Sequence, residues 1–113
     1  GYMETRHIGN QVRVMIHDAL DAFARLDAEQ ALRVMMADAD IDREYQSATR
    51  TLMTYMIEDP RHIARVINVM WVLRSLERIG DHARNISEQV IYMVKGLDVR
   101  HTSFEEVEKH IQK

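Results

Sequence analysis

The chain has 113 residues, of which 46% are hydrophobic and 29% charged, with a formal net charge of −3. That length suits one folded core and not two, the balance is that of a globular chain, and the slight acidity excludes the basic footprint of a nucleic-acid-binding domain. Cysteine is absent, which excludes disulfides and thiolate chemistry and fits a reducing cytosol, while no apolar run approaches the ~20 residues of a membrane span and no signal-peptide pattern opens the chain.

One proline, Pro60, and four glycines punctuate the sequence, and β-branched runs are absent, which predicts an all-α protein. Ile8, Val12, Met15, Ile16, Leu20, Phe23 and Leu26 recur at three- and four-residue steps and predict a first amphipathic helix from about Thr5 to Leu26. Asp27 is placed to cap a second helix, with Gln30 completing a capping-box-like pattern. That helix is expected from about Ala28 to Glu58 on a stripe of Ala31, Val34, Met35, Ile41, Tyr45, Ala48, Leu52 and Met56. Asp59-Pro60 ends it, because a residue before proline disfavours the α conformation. Pro60 then opens a third helix, whose stripe of Val66, Val69, Leu73, Leu76, Ala83, Val90 and Met93 carries it to Lys95, where Gly96 stops it. A short polar helix from Ser103 to His110 follows, with Ser103 and Glu106 spaced as a capping box. Tight connections make the three long helices antiparallel neighbours, so the expected architecture is an antiparallel three-helix bundle with a short C-terminal helix, one unit over residues 4–113. The eight methionines mostly fall on apolar stripes and are expected in the core.

Two helices carry acids where a plain bundle would not. Glu77, Asp81 and Asn85 stand four residues apart, hence on one helix face with Cβ atoms roughly 5–6 Å apart, a spacing at which like charges repel. On a helical wheel Asp38 falls within about 20° of Tyr45, inside the apolar sector, and Asp42 near 60°. Asp40 points to about −140° and is expected in solvent. Folding the second and third helices back about Asp59-Pro60 sets Asp42 opposite Glu77 and Asp38 opposite Asp81, roughly 26 Å from the turn at ~1.5 Å per residue. Four converging carboxylates disfavour one another's ionisation, and oxygen-only donors suit hard or borderline cations such as Mg²⁺, Mn²⁺ or iron. Against that stands a purely structural use, in which Arg74, Arg78 and Arg84 pair with Glu77 and Asp81 as salt bridges. The spacing alone leaves the two readings about even.

The run Leu76-Glu77-Arg78-Ile79-Gly80-Asp81-His82-Ala83-Arg84-Asn85-Ile86 closely resembles the signature of the PhoU family of phosphate-signalling regulators. Asp38-Ala39-Asp40-Ile41-Asp42-Arg43-Glu44-Tyr45 resembles that family's second acidic motif, and Leu52-Met53-Thr54-Tyr55-Met56 and Val94-Lys95-Gly96 look like its proteobacterial members. The resemblance covers nearly the whole chain. It implies a protein of two tandem three-helix repeats, of which this chain has room for one. Asp18-Ala19-Leu20-Asp21-Ala22-Phe23-Ala24-Arg25 and the tail after Gly96 look like the C-terminal repeat, so the chain is expected to be half of a two-repeat protein. The resemblance further implies a non-enzymatic negative regulator of phosphate-starvation genes. It would be a cytoplasmic adaptor at the membrane, bridging a phosphate ABC transporter, through its PstB-like ATPase, and a PhoR-like sensor histidine kinase. It also implies a homodimer and one or more divalent or trivalent metal ions (Fe, Mn, Mg or Zn) held by the acidic motifs. Carried onto this sequence, the ligands are Asp38, Asp42, Glu77 and Asp81, with Asn85 a weaker candidate and Arg78 placed to orient a carboxylate or meet a partner.

Two other classes compete. A carboxylate-bridged di-iron enzyme needs Glu-x-x-His motifs on bundle helices, and the one such spacing here, Glu4 to His7, lies away from the acids, while His82 points to about 180°, away from Asp81. The remaining histidines read as surface residues. A plain helical interaction domain would use its acids structurally and present leftover apolar residues to a partner. Trp71, near 160° on the third-helix wheel, is the candidate for such a surface.

Overall fold

A computed structural model of the chain describes residues 2–96 and 104–112. Helix α1 spans Tyr2–Arg25, α2 Ala28–Glu58, α3 Ile63–Lys95 and α4 Phe104–Gln112, and there is no strand among the described residues. The three long helices form the expected antiparallel bundle, 55 × 24 × 17 Å along its principal axes. Helices α2 and α3 make a hairpin, α1 packs against both, and α4 closes the end remote from the hairpin turn against α2.

The α1–α2 corner shows how local chemistry sets the geometry. Leu26 adopts a left-handed conformation at φ 52°, with its N–H donating to Phe23 O at 3.3 Å and the Asp27 N–H donating to Ala22 O at 2.9 Å. This is the Schellman arrangement, in which glycine is the usual left-handed residue. Asp27 then caps α2, its Oδ1 accepting from the Gln30 N–H at 3.0 Å. The other half of the capping box does not form, because the Gln30 amide donates instead to Asp18 O and Asp21 Oδ2 on α1. That side chain ties two helices together rather than closing its own turn.

The hairpin turn also differs from the expected one. Pro60 opens a short 3₁₀ turn, Pro60–His62, before α3 starts at Ile63. Asp59 ends α2 and caps this turn, accepting from the Arg61 N–H at 3.0 Å while gripping the Arg61 guanidinium. Gly96, at φ 66°, ends α3 as expected.

One core lies along the bundle axis, built from Ile8, Val12, Met15, Ala19, Val34, Ile41, Ala48, Leu52, Val66, Leu73 and Ala83. A second closes the far end, where Val107 and Ile111 of α4 meet Met35, Val90 and Ile91. So α4 is amphipathic rather than polar, and its expected cap at Ser103 lies outside the described residues. On α1 the buried stripe continues onto Ala19 and Ala22, while Leu20 and Phe23 stay 53% and 50% exposed. Steps of four and three from Ile8 lead to those alanines, whose small side chains let the helices close up. Met93 likewise is exposed and Ile91 buried in its place. Of the eight methionines, Met15 and Met35 are buried and Met56 and Met70 pack half-buried against the core, while Met3, Met36, Met53 and Met93 are exposed, so half of them and not most serve the core.

Candidate metal centre

The acids of α2 and α3 gather on one flank of the hairpin. Glu44, which pairs with His7 of α1 at 3.8 Å, sits about 160° around α2 from Asp42, so the flank bearing Asp42 is turned away from α1. Asp38 is the deepest member at 2% exposure. Asp42 and Glu77 are half-buried, and Asp81 is exposed. Gly80 is buried directly against Asp38, and a Cβ there would stand 3.4 Å from Asp38 Oδ1. A glycine in mid-helix costs roughly 0.5–1 kcal/mol against alanine; here it leaves room for a carboxyl at the α2–α3 interface.

The electrostatics record the crowding. Burial, and then the neighbouring Asp42 carboxylate, push the Asp38 carboxyl up to about 6, with Asp81 adding to the rise and Arg84 opposing it. Burial followed by Asp81 raises Asp42, and burial followed by Asp81 and Asp42 raises Glu77, with Arg74 opposing. Asp42 and Asp81 therefore each lie within electrostatic reach of both Asp38 and Glu77, as the hairpin register anticipates. Asp42 lies within reach of Asp81 as well as Glu77, and Asp38 is set against Gly80 and Arg84, a small stagger from the expected pairing.

The salt bridges of the structural alternative take another form. Among the described residues Glu77 and Asp81 form no ion pair. Arg84 instead reaches across to α2, its Nη1 3.5 Å from Asp38 Oδ2, and its Nε donates to Glu88 Oε1 at 3.2 Å. The 3.5 Å approach does not satisfy Asp38 Oδ2, which is buried without a hydrogen-bond partner, an arrangement native proteins rarely keep. Arg78 and Asn85 are exposed and join the acids by no hydrogen bond or ion pair among the described residues. Asp40 is exposed, as expected, and pairs with Arg43. His82 is exposed too.

Sequence reasoning placed the four acids but missed the roles of Arg84, Glu88 and Gly80. The signal was present, because Glu77, Asp81, Arg84 and Glu88 continue one stripe at steps of four, three and four. An orphaned buried carboxylate oxygen amid repelling acids is what a hard cation would satisfy, so the donor set fits a metal ion. No three His, Asp or Glu side chains among the described residues are already grouped to hold one, so binding would require side-chain movement.

A helical bundle with this acidic flank defines a class, and the comparisons give the family. A profile of the PhoU domain matches residues 5–90. The chain is 63% identical over 112 residues to a phosphate-specific transport system accessory protein PhoU homolog of Pseudomonas putida, covering 99% of this chain and 44% of that one. It is 46% identical over 102 residues to the phosphate-specific transport system accessory protein PhoU of Escherichia coli, covering 90% of this chain and 42% of that one. The crystal structure of PhoU from Pseudomonas aeruginosa superposes with a TM-score of 0.84 at 64% identity, covering 86% of this chain and 46% of that one. The chain belongs to the PhoU family. It spans less than half the length of the relatives it matches. Those relatives are named as accessory proteins, not as enzymes. Among the described residues no helix is long and apolar enough to cross a membrane.

Proposed function

We propose that this chain is one three-helix repeat of a two-repeat PhoU-type regulator, acting without catalysis as a metal-binding adaptor that restrains phosphate-starvation signalling. Its partners would be the PstB-like ATPase of a phosphate ABC transporter and a PhoR-like sensor histidine kinase, met at the cytoplasmic face of the membrane, with a second copy forming a homodimer. Family membership and the relatives' accessory role support the signalling half of this reading. The observation that carries the metal half is the buried Oδ2 of Asp38, beside Asp42 and Asp81, which Arg84 approaches only to 3.5 Å and which has no well-formed hydrogen bond.

Asp38, Asp42, Glu77 and Asp81 would hold the ion, with Asn85 at the end of the same stripe and Arg78 facing outward toward a partner. A bound cation would supply the positive charge that offsets carboxylate repulsion and cross-links α2 to α3. The competing reading, structural carboxylates in an interaction domain, draws on the Arg84–Asp38 pair. Titration calorimetry with Mn²⁺ separates the two. Glu77→Ala and Asp81→Ala should each lower Mn²⁺ uptake while circular dichroism stays unchanged, since both residues lie at the solvent edge. Undiminished uptake in both variants would contradict the assignment.

A further inference from the structure

Arg84 is the cation that lies against the deepest carboxylate of the acid cluster. Its guanidinium stands 3.5 Å from Asp38 Oδ2 and its Nε donates to Glu88 at 3.2 Å, both held by the same side chain. Asp38 is closed in, 2% exposed, with Gly80 packed beside Oδ1. The oxygen next to Arg84 nonetheless has no hydrogen bond. A guanidinium that neutralises a carboxylate in a full structural pair donates to it at about 2.7–2.9 Å, commonly through two N–H groups. Arg84 approaches through Nη1 alone and only to 3.5 Å, the outer limit of a hydrogen bond, so it balances charge without saturating the acceptor.

We propose that Arg84 is a built-in competitor for the metal, a tethered cation that guards the acid cluster and must withdraw from Asp38 before an ion reaches Oδ2. This inference rests on the metal-binding reading above and concerns a positioning residue rather than a ligand. Glu88 makes the exchange workable. It sits one helical turn beyond Arg84, so the displaced guanidinium keeps one charged partner at the same i,i+4 spacing. The affinity of the cluster is then the difference between two cations for one set of carboxylates, and Arg84 sets the threshold below which the ion does not enter.

The test uses the full chain at pH 8, where protons compete little for the carboxylates, with Mn²⁺ calorimetry on wild type, Arg84→Gln and Arg84→Lys. In parallel, the Arg84 Nε–Hε resonance of the wild type is followed as Mg²⁺ is added. Arg84→Gln should bind Mn²⁺ roughly tenfold more tightly, the size expected of one charge at a partly solvated site. Arg84→Lys, which keeps the charge, should stay nearer the wild type. The wild-type resonance should shift in step with Mg²⁺ occupancy, and that observation stands even if a variant fails to fold. Equal or weaker Mn²⁺ binding by Arg84→Gln, Lys and Gln variants that behave alike, or a resonance indifferent to bound Mg²⁺ would each overturn the inference while leaving the metal site in place. If neither wild type nor Arg84→Gln takes up Mn²⁺, the metal reading itself falls and the inference with it.

Discussion

Asp38 is where burial, charge and register meet. Its carboxyl is pushed up to about 6 from an ordinary 3.8, so the folded protein holds that proton more tightly than the unfolded chain. The stabilisation this gives grows as pH falls through about 6 and is lost as pH rises through it. Between pH 7 and pH 5 the metal-free protein should gain about 1 kcal/mol from this residue, and thermal melts should show the gain largely absent in Asp38→Asn. Asp42 and Glu77, raised for related reasons, act in the same direction. Asp21, held low by Gln30 and Arg25, and Asp59, held low by Arg61, oppose it only as pH drops through the ordinary carboxylate range, below this window. Gly80 makes a second prediction at this scale. A Cβ would stand in ordinary contact at 3.4 Å from Asp38 Oδ1, so Gly80→Ala should raise stability by up to about 1 kcal/mol through helix propensity alone. A melting temperature several degrees lower would mean that the interface has no room for one carbon.

The helices themselves were legible because their signals are local. The Asp27 cap, the Asp59-Pro60 break and the Gly96 stop each depend on one or two residues and appear where the sequence places them. What was not legible depends on how close the helices come. Nothing local says that Ala19 and Ala22 win burial from Leu20 and Phe23, because that choice belongs to the helices packed against them. The same holds for Gln30, which serves α1 rather than its own cap. The left-handed Leu26 gives this scale its test. An L-residue there costs roughly 1–2 kcal/mol and glycine loses part of that saving as chain entropy, so Leu26→Gly should stabilise the protein by about 0.5–1 kcal/mol in denaturant titration. Asp27→Ala, which removes the cap one residue later, should cost about 1 kcal/mol.

At the scale of the molecule, the acid cluster was readable as positions but not as a network. Two ExxxD-like pairs in matching register lead to Asp38, Asp42, Glu77 and Asp81, whereas Arg84, which the salt-bridge alternative pairs with Glu77 or Asp81, approaches Asp38 instead. Register predicts which residues face each other; it does not choose among several arginines within reach. Toward the hairpin turn the surface turns apolar, with Ile63, Ile67 and Trp71 exposed along α3, Trp71 at 66%. Trp71→Ala should therefore change stability by less than about 0.5 kcal/mol, and a larger loss would mean that this face is covered by a second copy. The account as a whole turns on whether the acids bind metal. The deciding measurement is elemental analysis of the purified chain before and after chelation, with thermal melts on both samples. The account predicts Mn, Fe, Mg or Zn in stoichiometric amount and a lower melting temperature once it is stripped. A metal-free chain whose melting ignores added divalent ions would contradict it.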